Sequence, residues 1–184
     1  MTSGIYELFD TDMSQEKGMK KIAFTILTPL AEGADRLVAW EVLKIPDSEI
    51  EVVLPFAKEE YLKDFATEQS RREFEELYRK ATNPIELKGH LFTERLSTND
   101  HVKMRNKAYE DVGRYVVNRC DVLIALWDGK PSRGKGGTAE IVAFAREKKR
   151  SLIIISPENP ENIVIEKALL PLQSGGGEME KANE

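Results

Sequence analysis

Four short apolar runs rich in β-branched residues constrain this chain more than any other feature: Ile22 to Leu27, Ile50 to Leu54, Val122 to Trp127 and Leu152 to Ile155. None alternates apolar and polar residues cleanly, which is the pattern of strands buried on both faces. Segments with helical spacing lie between them. Ala34 to Leu43 carries Leu37, Val38, Trp40 and Leu43, and Glu59 to Lys80 repeats Tyr61, Leu62, Phe65, Phe74, Leu77 and Tyr78. Asn106 to Arg119 places Ala108, Tyr109, Val112, Val116 and Val117, and Thr138 to Lys149 places Ile141, Val142 and Ala145 in the same way. Strand and helix therefore alternate, which predicts an α/β fold with a doubly wound, mostly parallel sheet and helices on both faces.

At 184 residues the chain has room for one domain, expected over residues 1–172, with a solvated tail at 173–184. Met1 to Met19 is polar and interrupted, although Tyr6, Phe9 and Met13 stand at the spacing of part of a helix. Thr82 to Lys103 reads as a long polar connection between helices, and Ile163 to Leu172 as one more short apolar element. The aromatic residues at helical spacing, Tyr61, Phe65, Phe74 and Tyr78, are assigned to the core.

A net charge of −5 disfavours a dedicated nucleic-acid surface, which depends on clustered Lys and Arg against phosphate. No apolar run approaches the roughly 20 residues of a membrane helix, and the first residues lack a basic segment followed by an apolar one, so a cytoplasmic location is expected. The single cysteine, Cys120, rules out an internal disulfide, and the two histidines, His90 and His101, lack the spacing of a zinc site, so no metal is expected. Cys120 immediately precedes an apolar strand, where a buried thiol is commoner than a nucleophile.

Two stretches can carry chemistry. In the first, Leu27-Thr28-Pro29-Leu30-Ala31-Glu32-Gly33-Ala34-Asp35-Arg36-Leu37, a strand enters a small-residue turn that opens a helix. Backbone N–H groups of the first helical turn then face whatever sits above the strand end, which suits an anion or a ribose hydroxyl. Asp35 either contacts that ligand or caps the helix. The second stretch runs from Trp127 through Asp128, Gly129, Lys130, Pro131, Ser132, Arg133, Gly134, Lys135, Gly136 and Gly137 to Thr138, Ala139, Glu140 and Ile141. Here four glycines let amides approach a phosphate without side-chain obstruction, and Lys130, Arg133 and Lys135 add cations. The plainer reading is a flexible connector with solubilising charge. Both loops follow strands, and parallel sheets bind ligands at that carboxyl edge, so the two are expected to form one pocket.

Several cofactor and catalytic motifs are missing. There is no G-x-G-x-x-G dinucleotide fingerprint with its later acidic residue, no P-loop and no G-x-S-x-G elbow. No bound cofactor is expected.

At these residues the chain resembles the SLOG superfamily of Rossmann-like domains. That superfamily groups lysine-decarboxylase-like phosphoribohydrolases with DprA-type DNA-processing proteins and nucleotide-ligand sensors. Ala31-Glu32-Gly33-Ala34-Asp35-Arg36-Leu37 is similar to the family's G-A-D-R-L turn, and Gly134-Lys135-Gly136-Gly137-Thr138-Ala139-Glu140 to its second glycine-rich turn. The likeness spans residues 22–156. It implies a nucleotide-like small molecule as partner, self-association as a homodimer, and an effector protein encoded nearby. It also implies ligand-binding residues at Gly33, Asp35, Arg36, Asp128, Gly129, Gly134, Lys135, Gly136, Gly137, Thr138 and Glu140. Two departures stand out. Met1 to Met19 holds no counterpart of the family's first strand and glycine loop, so that strand is expected to be lacking. The phosphoribohydrolases place a catalytic Glu three residues after Thr, whereas Glu140 follows Thr138 by two. One residue on a helix rotates a side chain by about 100°.

Three functions remain open at this point. The leading one is a sensor or regulatory module that binds a nucleotide or a nucleotide-derived small molecule, with glycine amides and Lys135 on phosphate and Asp35 or Glu140 on a ribose hydroxyl. The alternative is an N-glycosidic hydrolase of nucleoside monophosphates, in which Arg114 and Glu140 are the catalytic pair. The third is a fold whose missing strand leaves an assembly surface and no working pocket.

Overall fold

The computed structural model describes residues 23–88, 97–131 and 136–168. Its first half comprises strand β1 (Thr25–Thr28), helix α1 (Ala34–Val42), strand β2 (Glu49–Leu54), the short helix α2 (Lys58–Tyr61) running into a 3₁₀ turn at Leu62–Asp64, helix α3 (Glu68–Tyr78) and strand β3 (Ile85–Glu86). The second half comprises helix α4 (Thr98–Arg119), strand β4 (Val122–Leu126), helix α5 (Thr138–Glu147) and strands β5 (Ser151–Ile155) and β6 (Ile163–Glu166).

The strands form two three-stranded sheets. One has the order β1-β2-β3, all parallel, with Ile26 beside Ile50 and Val53 beside Ile85. The other has the order β4-β5-β6, where β4 and β5 are parallel with Ile124 beside Ile153, and β6 returns antiparallel with Val164 beside Ile154. The protein is therefore α/β, with every described strand pair parallel except the last. A two-sided apolar pattern suits this arrangement because helices cover the strands, as α5 does for both β4 and β5.

Each sheet has its own core. Ile50, Val52, Leu54, Phe56, Tyr61, Phe65, Phe74 and Leu77 pack beneath the first sheet, and Leu123, Ala125, Val142, Ala145, Leu152 and Ile154 beneath the second. Helix α4 serves both, with Ala108 buried in the first cluster and Val117 in the second. Its 22 residues give it a length of about 33 Å. The aromatic residues assigned to the core are there: Tyr61, Phe65 and Phe74 are buried and Tyr78 packs against them.

Several boundaries differ from the sequence reading. The segment Glu59 to Lys80 is not one helix. Phe65 is extended at φ −92, ψ 109, and the Thr67 hydroxyl accepts the Ser70 amide at 3.1 Å, so a new helix starts there. The connection Thr82 to Lys103 is also more structured than its polarity suggests. It contains β3, and α4 begins at Thr98 because Ser97 caps it by accepting the Asp100 amide at 3.2 Å. The first strand occupies Thr25–Thr28, later than the Ile22 start read from its apolar run. Met1 to Met19, His90 and the tail at 173–184 lie outside the described residues. No helix among the described residues is long and apolar enough to cross a membrane.

Candidate functional site

The turn after β1 is held from every side. Leu30 is fully buried and adopts a left-handed backbone at φ 56, a conformation that costs a non-glycine residue roughly 1–2 kcal/mol. Two contacts enforce it: Thr28 Oγ1 accepts the Leu30 amide at 3.0 Å, and Arg36 Nε donates to the Leu30 carbonyl at 3.0 Å. Arg36 is only 2% exposed. Its Nη1 donates to the Ser70 carbonyl and hydroxyl, both at 2.9 Å, and pairs with Glu73 at 3.1 Å. The Ser70 hydroxyl in turn donates to Glu32, and the guanidinium lies 4.4 Å over the Phe65 ring. Arg36 therefore clamps the turn to α3 rather than facing outward.

Gly33 stands at the N-cap of α1 with φ 91, and no side chain caps the helix there. A Cβ at this position would meet nothing within 4 Å, so the space before the helix is open. Asp35 reaches back along the chain, and its Oδ2 accepts the Ala31 amide at 3.1 Å. Burial pushes this carboxyl above its usual range, and the Ala31 amide, the Thr28 hydroxyl and the Arg36 charge oppose the shift. The N–H groups of Ala34, Asp35 and Arg36 have no helical acceptor by geometry.

The turn after β4 is described at residues 127–131 and 136–137. Asp128 accepts the Lys130 amide at 3.0 Å, and Gly129 turns the chain at φ 77. Lys130 pairs with Glu158 at 3.0 Å and with Asp128 at 3.5 Å. Gly134 and Lys135, with Arg133, lie outside the described residues. Gly136 has φ 80 and lies against α4, where a Cβ would come within 2.9 Å of the Glu110 amide nitrogen and 3.1 Å of the Asn106 carbonyl. Gly137 is the N-cap of α5, Thr138 is its exposed first residue, and Glu140 Oε2 accepts the Gly136 amide at 2.7 Å. Glu140 thereby ties the first turn of α5 back to the loop residue before its N-cap.

The second turn meets α4, where Gly136 lies against the backbone of Asn106, Tyr109 and Glu110, and the Tyr109 ring tilts against Tyr61 at 6.3 Å. The first turn is held to α3 through Arg36. The Tyr109 hydroxyl is fixed by Asp64, which also pairs with Arg105. Among the described residues Tyr61 Oη and Arg36 Nη2 are buried without a hydrogen-bond partner, and both side chains pack against the Phe65 and Phe74 rings.

A separate groove of about 360 Å³ runs between α4 and α5, and it contains Arg114 and Glu140 together with Glu110 and Phe144. Arg114 bonds Glu110 at 2.8 Å and lies 4.4 Å over the Phe144 ring, while the Glu140 carboxylate is turned to Gly136. Burial pushes the Cys120 thiol up, away from thiolate character. Among the described residues no group of three or more His, Cys, Asp or Glu side chains is placed to hold a metal.

Leu30, Tyr61, Ser70, Glu73 and Tyr109 were not singled out from the sequence as part of this region. A positive φ at leucine leaves no mark in composition, and the partners of Arg36 are brought in from 34 and 37 residues away. No protein-family model matches this sequence, and no curated protein matches it.

Proposed function

We propose that this protein binds a nucleotide or a nucleotide-derived small molecule across the two turns, as a sensor or regulatory module of the SLOG type on a doubly wound, Rossmann-like sheet. One observation carries the reading. Two parallel strands each end in a glycine turn that opens a helix, and each helix sends a first-turn carboxylate back to a loop amide, Asp35 to Ala31 and Glu140 to Gly136. The carboxylates fix the loops, and the remaining first-turn amides are left for an anionic group. Glu140 Oε1 is the natural acceptor for a ribose hydroxyl. The held left-handed Leu30 supports the same reading, since such strain persists where a loop is pre-organised.

A second reading has one specific observation in its favour: Arg114 and Glu140 share the groove between α4 and α5. In a hydrolase that pair would hold and activate water against a ribosyl centre. Thermal unfolding against nucleoside mono-, di- and cyclic phosphates and ADP-ribose, with chromatography for product, separates the two. A ligand at 100 times its dissociation constant adds about 2.7 kcal/mol. A shift without product supports the binding module, product lost in Glu140→Gln supports the hydrolase, and no shift with any member of the panel removes both.

A further inference from the structure

Tyr61 is 1% exposed, and among the described residues its Oη has no hydrogen-bond partner. Such a buried orphan is costly and persists where another state of the protein employs it. The hydroxyl faces the first turn of α1, whose Asp35 and Arg36 charges both act on it. The Phe65 ring joins the two elements: Tyr61 meets it edge-on at 5.1 Å, and the Arg36 guanidinium lies 4.4 Å over it. The other carboxylate acting on Tyr61, Asp64, is filled, with one oxygen bonded by Arg105 and the other by the Tyr109 hydroxyl. That leaves the Asp35 carboxyl, which the Ala31 amide holds through Oδ2 at 3.1 Å.

We propose that Tyr61 latches the liganded form of the first turn: a phosphate group takes the Ala31 amide, and the displaced Asp35 carboxyl swings to accept the Tyr61 hydroxyl. The inference rests on reading the Gly33 turn as an anion site. Gly33 leaves the approach to α1 open, and no side chain caps the helix there. A tetrahedral anion outcompetes a single carboxyl for the Ala31 amide because it bonds the free first-turn amides as well. Without a second donor the displaced carboxyl would lie buried and unbonded, and the exchange would fail. Tyr61 supplies that donor. Arg36 stays in place, since its Nε and Nη1 remain committed to Leu30, Ser70 and Glu73. The exchange also carries the binding event from α1 to α2, which holds Tyr61.

Proton–nitrogen NMR of the full chain, titrated with inorganic phosphate, tests it. In wild type the amides of Ala31 and of 34–36 should shift together and saturate. Tyr61→Phe should bind phosphate roughly tenfold more weakly, the worth of one buried hydrogen bond. Without phosphate it should unfold at or above the wild-type temperature, because it removes a hydroxyl that is unbonded there. Beside Asp35→Ala, the Tyr61→Phe change should leave phosphate binding as it is, which separates the latch from a general packing defect. Tyr61→Phe binding like wild type, a loss that persists beside Asp35→Ala, or shifts at 34–36 that leave Ala31 unmoved, overturns the latch alone. No saturable shift in wild type overturns the anion reading and the latch together.

Discussion

The Asp35 carboxylate accepts the amide of Ala31, four residues behind it, at 3.1 Å. Glu140 makes the same contact with Gly136, again four residues behind, at 2.7 Å. The two turns share this contact although their sequences differ, one with a single glycine and the other with four. In each, the acid belongs to the first turn of a helix, where the helix dipole favours it, and the loop amide it takes is one that would otherwise lie unbonded near the helix start.

Asp35 makes stability depend on pH in an unusual direction for a carboxylate. Burial raises its folded-state value above the ordinary 3.8, so between those two values the folded protein holds a proton that the unfolded chain has released. Its contribution is complete below about 3.8 and is lost as pH rises through the folded value. Glu60, Asp128 and Glu166 are lowered and slope the other way, so the readout is the difference between proteins. Denaturant titrations from acid to neutral pH should show wild type losing stability relative to Asp35→Asn as pH rises. A constant difference contradicts the assignment.

Gly33 and Gly136 both have positive φ, yet they should respond differently to alanine. At Gly33 the added Cβ meets nothing, and only the backbone preference is lost, about 1 kcal/mol. At Gly136 it also presses on the backbone of Glu110 at 2.9 Å, which cannot rotate away. Urea denaturation should give Gly136→Ala a loss of about 2–4 kcal/mol, clearly larger than that of Gly33→Ala.

Gly113 is a third case, because its neighbour is flexible. A Cβ there would lie 2.5 Å from Ile141 Cδ1, the far end of a side chain. Gly113→Ala gains about 1 kcal/mol of helix propensity and loses it to this contact. Ile141 Cγ1 would also lie 2.9 Å away and valine would keep it, so Ile141→Ala is the partner change: the Gly113→Ala, Ile141→Ala double variant should be less destabilised than the sum of the two single changes, as a double-mutant cycle by thermal unfolding will show.

Arg36→Met should destabilise by roughly 2–4 kcal/mol, since the Leu30 carbonyl and the Ser70 groups lose a donor at once. Arg36→Lys should not rescue it, because one ammonium cannot reach both Leu30 and Ser70 with the geometry of a planar fork. Stability of Arg36→Lys equal to wild type, measured by chemical denaturation, would refute the clamp.

How far the fold could be read from the sequence follows the physics of each element. The β4 and β5 runs and helices α1 and α5 were legible to within one or two residues, because their apolar periods and the glycines at their starts agree. The break at Phe65 was not, since Phe65 continues the apolar period while its backbone leaves the helix. Strand β3 was not legible either: Ile85 and Glu86 have no period of their own and are a strand only because β2 is beside them. Within the candidate site, Gly33, Asp35 and Gly136 sit at the turns as read. Arg36 was read as a ligand residue from its neighbours in sequence, whereas its buried fork is engaged with α3 and the Leu30 carbonyl, partners set by tertiary packing.

The most direct measurement is amide hydrogen exchange with and without the nucleotide that gives the largest thermal shift in the panel. Binding across the two turns predicts slowed exchange in both 31–36 and 136–140, with the remaining strands unchanged. Protection confined to the groove between α4 and α5, or no protection in either turn, would contradict it.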